Sequence, residues 1–188
     1  MDEKIVVTFQ AESATVEVRL TDAALRLIET EALASANKET GGILIGRYEN
    51  DGNVAVVTAA TERPADSLAG RAWFQRGISG LTAKLRARWT QGEYYLGEWH
   101  SHPPGGAPPD PPSSNDVREM RSISIDPSYR CPKPIMVIAG GTSGGKSMRV
   151  SVSVLETGGL IRLKPALRHK ATQTTARRLP KPPTNRTT

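Results

Sequence analysis

The run PIMVIAGG, residues 134–141, is apolar from end to end. A stretch this short and uniform reads as a strand, and a strand without a polar face needs cover on both sides. It therefore belongs at the centre of a sheet. The segments after it fit that placement. SMRVSVSVLE (147–156) alternates as a half-buried strand does, and GLIRLK closes the domain.

Upstream, IVVTFQ (5–10) and TVEVRL (15–20) read as two strands joined by a short polar turn. Thr21 is suited to cap a helix over TDAALRLIETEALASANK, with Asp22 in the first turn. Ala24, Leu25, Leu27, Ile28 and Leu33 approximate its apolar face. Glu39-Thr40-Gly41-Gly42 reads as the end of that helix, with glycine in the left-handed cap position. ILIGRYE and VAVVTAA are strands about a hairpin turn at Asn50-Asp51-Gly52-Asn53. The mixed segment 61–77 carries a short strand at Trp73-Phe74, and SGLTAKLRARW is a second helix with Ser79 near its start. EYYLGEWHSH is a strand that a proline run breaks, and a third helix opens at Ser114. This order implies a single α/β domain around one curved, mixed sheet flanked by helices.

Charge divides the chain. The pI is 9.7, which suggests nucleic acid until the charges are located. Seven basic residues and no acid lie from Lys164 onward, leaving 18 basic against 19 acidic residues in 1–163. The expected organisation is a folded domain over 1–163 and a disordered, Pro- and Thr-rich basic tail over 164–188. Nucleic-acid binding is then at most an accessory of the tail. No apolar run approaches the roughly 18 residues needed to span a bilayer, and MDEKIVVTFQ lacks the apolar core of a signal peptide, so a cytoplasmic protein is expected. Cys131 is the only cysteine, which excludes an internal disulfide and any Cys-rich zinc site.

Two of the three histidines, His100 and His102, stand one residue apart on an expected strand. Side chains at that spacing share a face, while Trp99 and Ser101 face the other way. Two imidazoles so placed can grip one zinc ion at about 2.0–2.1 Å, although a lone pair of this kind is also compatible with two surface histidines. Asp116 is the natural third ligand. It would sit in the first turn of the third helix, where Ser113-x-x-Asp116 also resembles a capping box; both parts can be played by one carboxylate. Two His and one Asp leave a fourth position for water, the arrangement of a catalytic zinc site. Amide hydrolysis then needs a proton carrier, for which Glu39 is the candidate, and Ser113 could donate its hydroxyl to the oxyanion. Glu98 lies on the histidine face, within reach of an imidazole. Cys131 has no histidine near it in sequence and reads as buried. Trp73 and Phe74 read as core.

Taken in order, Glu39-Thr40-Gly41-Gly42-Ile43-Leu44-Ile45-Gly46, His100-Ser101-His102-Pro103 and Ser113-x-x-Asp116 resemble the JAMM/MPN-plus (JAB domain) metalloproteases over roughly residues 5–160. These remove ubiquitin or ubiquitin-like proteins from conjugates. The resemblance implies a single MPN/JAB-like domain with one Zn2+ per chain, held by His100, His102 and Asp116. Glu39 would be the general base and Ser113 the oxyanion donor. Gly97-Glu98-Trp99 before the histidines resembles the prokaryotic branch, whose members accompany E1- and E2-like conjugation enzymes, including in antiphage operons of the CBASS type. By the same resemblance, the segments near 61–77 and 124–133 would grip the distal ubiquitin-like protein.

The sequence departs from the family in PPGGAPPDPP, which puts ten residues between His102 and Ser113, a longer run than the family usually carries. It introduces Asp110 as an alternative ligand, but the Ser-x-x-Asp spacing survives only at Asp116. The expected function is a zinc isopeptidase acting on a ubiquitin-like tail or its conjugate. The alternatives are an endopeptidase that processes a ubiquitin-like precursor and a catalytically inactive MPN-type scaffold. A zinc nucleobase deaminase is excluded, because its Pro-Cys-x-x-Cys motif needs two cysteines.

Overall fold

The computed structural model describes residues 4–35, 37–103, 112–141 and 148–166. Asp110 and the expected tail from residue 167 lie outside the described residues. The chain forms β1 (Ile5–Gln10), β2 (Glu17–Thr21) and α1 (Asp22–Ala34), then β3 (Thr40–Glu49) and β4 (Val54–Ala60) about a 3-10 turn at Asn50–Gly52. A short hairpin, β5 (Leu68–Ala69) and β6 (Phe74–Gln75), precedes α2 (Leu81–Trp89) and β7 (Tyr94–Ser101). The last elements are α3 (Ser114–Ile125), β8 (Ile135–Gly141), β9 (Met148–Glu156) and β10 (Gly159–Pro165). Among the described residues no helix is long and apolar enough to cross a membrane.

Eight strands pair in the order β1-β10-β9-β8-β7-β3-β4-β2, and β2 pairs back onto β1. The sheet is mixed, with β2–β4 and β7–β8 parallel. The curved, mixed sheet expected goes on to close, because Phe9 and Gln10 of β1 pair with Pro165 and Lys164 of β10. The final strand thus runs two residues past the expected domain boundary. β8 is central and buried along all of its length. The hairpin β5–β6 stands outside the barrel.

Inward-facing side chains from the barrel strands, among them Val18, Leu44, Val57, Leu96, Trp99, Val137 and Val152, form one interior cluster that also takes Ala24, Ile28 and Ala32 of α1. Burying each of the larger aliphatics contributes roughly 1.5–3 kcal/mol. The Thr21 hydroxyl caps α1 by accepting from the Ala24 N–H at 3.3 Å. The buried face of α1 runs along the i, i+4 row 24-28-32, so Leu33, expected on it, is 46% exposed. A second cluster outside the barrel joins Ile43 and Ile45 of β3, Tyr95 of β7, Leu81 of α2, Ile123 of α3 and Cys131. A third packs Met120 of α3 on Met136, Ile138 and Leu155. The two outer clusters seat α2 and α3 against the same side of the sheet as the outward-facing residues of β7.

The orientation of β7 depends on one irregularity. Leu96 faces the interior and so does Trp99, although residues three apart on a regular strand face opposite ways. A register shift resolves this: Leu44 pairs with Gly97 but Ile45 pairs with Tyr95, so β7 carries one extra residue. Gly97 absorbs the bulge at φ 149°, and a Cβ there would run into the Ile135 carbonyl. Beyond the bulge the alternation is reset, with Glu98 and His100 outward. Gly97→Ala should therefore lower stability by roughly 2–4 kcal/mol, through strain and backbone displacement, as read by urea denaturation. An unchanged midpoint would show that the bulge does not set this geometry.

Candidate functional site

The site lies on the outward face where β3 meets β7. Their antiparallel register pairs Ile43 with Glu98, Gly41 with His100 and Thr40 with Ser101. Continued by one residue, the same register sets Glu39 against His102. Opposed residues of an antiparallel pair share a face, so Glu39, His100 and His102 face the same way. Glycine at 41 leaves the space in front of His100 clear of a side chain from β3.

Glu39 does not end a helix. α1 stops at Ala34, and Glu39 leads directly into β3. Nor do Gly41 and Gly42 act as a helix cap: they are strand residues where no Cβ fits. One at Gly41 would strike the Trp99 carbonyl and the Phe74 ring, and one at Gly42 the Thr61 carbonyl. Those close approaches are maintained by Thr61, whose carbonyl accepts from the Trp99 indole N–H at 3.0 Å and whose hydroxyl accepts from the Ile43 N–H at 3.1 Å. Glu39 is buried, and its own N–H donates to the Gly70 carbonyl at 2.9 Å. Burial pushes its carboxyl up to about 7, with the nearby Asp116 carboxylate raising it further. A carboxyl titrating there can both take and return a proton at neutral pH.

The rings of His100 and His102 lie 5.6 Å apart between centroids. His102 follows the last residue of β7, and its N–H donates to the Ala139 carbonyl at 2.8 Å, which ties it to β8. Burial pushes His100 down to about 4, against the Asp116 carboxylate and with the neighbouring His102 adding to the depression. His100 is thus a neutral imidazole at pH 7, the form that binds metals.

Asp116 reaches the site from α3. Met120, one turn later, packs on Met136 and Ile138, and Ile138 is the parallel partner of His100. The start of α3 is a capping box. The Ser113 N–H donates to Asp116 Oδ2 at 2.7 Å, and the Asp116 N–H donates to the Ser113 hydroxyl at 3.3 Å. Among the described residues the Ser113 hydroxyl is seen only as an acceptor. The donor chemistry fits zinc, with two imidazoles, one of them held neutral, and a carboxylate facing them. Among the described residues, however, no group of three or more His, Cys, Asp or Glu side chains is placed so that it could hold a metal ion.

Glu98, on the histidine face within reach of an imidazole, is bonded elsewhere. Arg76 donates to its Oε1 through Nε at 2.9 Å, and the Tyr95 hydroxyl donates to the same oxygen at 3.0 Å. Nothing local signalled this pair, whose members are separated by 22 positions. Trp73, expected in the core, is 53% exposed. The short strand falls at Phe74–Gln75, with Phe74 lying over Gly41.

The family model for prokaryotic homologues of the JAB domain matches residues 21–151. A protein of Enterobacter hormaechei subsp. hoffmannii named CD-NTase/cGAS isopeptidase is 47% identical over 148 residues, 78% of this chain and 81% of that protein. A Sinorhizobium fredii protein named a probable metalloprotease is 31% identical over 106 residues, 55% of this chain and 63% of its own length. The solution structure of a Desulfitobacterium hafniense protein aligns with a TM-score of 0.55 at 19% identity, covering 76% of this chain and 87% of that one. That last likeness is one of fold.

The lone thiol lies apart from this chemistry. Cys131 is buried in the second cluster, and burial pushes it up to about 12. At pH 8 only about one molecule in ten thousand would carry the thiolate. An aromatic disulfide reagent should therefore leave the native chain unmodified at pH 8 and label one thiol per chain in denaturant. Rapid labelling of the native chain would place Cys131 at an accessible surface.

Proposed function

The chain belongs to the prokaryotic JAB-domain family, and we propose that it is a zinc-dependent isopeptidase that releases a ubiquitin-like protein from a conjugate. The observation that carries this reading is Glu39: a buried carboxyl poised near neutrality on the face that presents His100 and His102. A buried carboxylate facing two imidazoles and a second carboxylate adds nothing to stability, and it is what a hydrolytic site requires.

His100, His102 and Asp116 would hold the zinc ion. When bound, zinc supplies a Lewis acid for the scissile carbonyl and makes water acidic enough to ionise near neutral pH. Glu39 takes the proton of the attacking water and passes it to the departing lysine amine. Ser113, fixed by the capping box, turns its hydroxyl proton to the developing oxyanion. The body of the ubiquitin-like protein would dock on the cavity of about 1020 Å³ between α2 and β7, where Trp89, Tyr94, Tyr129, Arg86 and Arg130 form part of the wall. The same cavity takes lining residues from both 61–77 and 124–133, the segments named as groove candidates from sequence. The Enterobacter relative's name suggests the other half of the substrate, a conjugate of a CD-NTase. The E1- and E2-like enzymes that would make such a conjugate are then the functional partners, in antiphage defence.

Metal analysis of the purified chain tests the first step. It should give about one zinc per chain, lost in His100→Ala and Asp116→Ala but kept in Asp110→Ala and Glu39→Gln. Glu39→Gln should nevertheless cut turnover of a lysine-linked CD-NTase conjugate by about 10²–10⁴-fold. Little zinc in the wild-type chain after zinc is supplied would replace this reading with that of a metal-free scaffold. Loss of zinc from Glu39→Gln would make Glu39 a ligand and leave the reaction without its base.

A further inference from the structure

The hairpin β5–β6 has only two cross-strand pairs, Leu68 with Gln75 and Ala69 with Phe74, too few for a hairpin to stand by itself. Several bonds close the segment onto itself. The Asp66 carboxylate accepts from the Ile78 and Ser79 N–H groups at 3.0 and 2.9 Å, and the Ser67 hydroxyl accepts from the Gly77 N–H at 2.9 Å. None of these reaches the barrel. Two others do. At the tip, the Gly70 carbonyl accepts the Glu39 N–H. At the base, Arg76, the residue after β6, is joined to Glu98 on β7.

That second tie is buried and crowded with donors. Arg76 NH2 lies 2.7 Å from Glu98 Oε1, and the two side chains are 9% and 8% exposed. The guanidinium also donates to the Gly77 carbonyl at 2.9 Å and to the Tyr129 hydroxyl at 3.4 Å. Lifting the hairpin would separate two charges in a nearly dry setting, a costly event whichever partner is left behind. Glu98 is the neighbour of His100 on the outward face of β7, and Phe74 of the hairpin covers Gly41, the partner of His100. One end of the hairpin is therefore fixed beside the histidines and the other holds the backbone of Glu39.

We propose that Arg76 is a positioning residue for the reaction. Through Glu98 it fixes the hairpin against β7, and through the Gly70 carbonyl the hairpin fixes the backbone of Glu39, so that the carboxyl is held towards His100 and His102. The catalytic consequence rests on Glu39 being the base proposed above; the mechanical coupling from Arg76 to Glu39 does not.

Residue-resolved amide hydrogen exchange on the full-length chain separates the two, because it needs no substrate. Arg76→Met should speed exchange of the Glu39 N–H about tenfold or more beyond its effect on the Ile43 and Thr61 N–H groups. Ile28→Val, which weakens the interior cluster instead, should change these amides together. Arg76→Lys keeps the charge but cannot reproduce the forked contact, and should fall between Arg76→Met and wild type. Equal exchange at Glu39 in wild type, Arg76→Lys and Arg76→Met overturns the coupling, as does parallel loosening of Glu39, Ile43 and Thr61. If Arg76→Met does not fold, the same comparison of Arg76→Lys with Ile28→Val decides the matter. On the lysine-linked conjugate, Arg76→Met should lower kcat about tenfold or more. Loosened exchange with an unchanged kcat would leave the tie real and refute its role in positioning the base.

Discussion

Gly41 is opposed to His100 and Ile43 to Glu98, and the antiparallel pairing that sets those oppositions decides what the outer face of the barrel can do. Shifted by one residue, the β3–β7 register would turn Glu39 away from the histidines and bury a carboxyl in the interior cluster. The register is held from several sides. Glycines at 41 and 42 let Trp99 and Thr61 approach, the indole of Trp99 is fastened to the Thr61 carbonyl, and the extra residue at Gly97 sets the phase of β7. The close approach of two strands and the aim of two imidazoles are thus one packing problem with one solution.

The face so constructed gathers groups that on balance oppose one another's charged forms. Burial raises Glu39 and depresses His100; Asp116 raises Glu39 further, and only its attraction for His100 works the other way, with His102 adding to the depression. The barrel tolerates this because its own stability comes from elsewhere, in the continuous interior cluster shared with α1. In the charged pair nearest the site, Glu98 Oε1 takes donors from Arg76 and Tyr95, and the Arg76 guanidinium also donates to Gly77 and Tyr129. The unfavourable electrostatics gather about Glu39, His100, His102 and Asp116 and extend to Glu119, which burial and the Glu98 carboxylate push up, as is usual where a fold carries chemistry.

Much of this was legible locally. Alternation and turn residues located the barrel strands, Thr21 marked the start of α1, and Ser113-x-x-Asp116 marked the start of α3. The shared face of His100 and His102 followed from their spacing. What local pattern left out depended on distance along the chain. Glu39-Thr40-Gly41-Gly42 read as a helix end because glycine is a frequent terminator, whereas these glycines serve a tight approach to Trp99 and Thr61, both far away in sequence. Glu98 looked like a partner for its neighbours until Arg76 folded back from the preceding segment. Closure of the sheet depended on β1 meeting β10, the two ends of the domain. Trp73 read as core by its size alone, but the hairpin that carries it lies outside the barrel.

The capping box at Ser113 and Asp116 insulates the site from the length of the run before it. Two reciprocal hydrogen bonds decide where α3 begins, and the packing of Met120 decides where it sits. Neither depends on how many residues separate His102 from Ser113. For a flexible connection the entropy of closure changes only slowly with length, so a change in the length of that run should be felt less at the carboxylate than a break in the capping box or the loss of Met120.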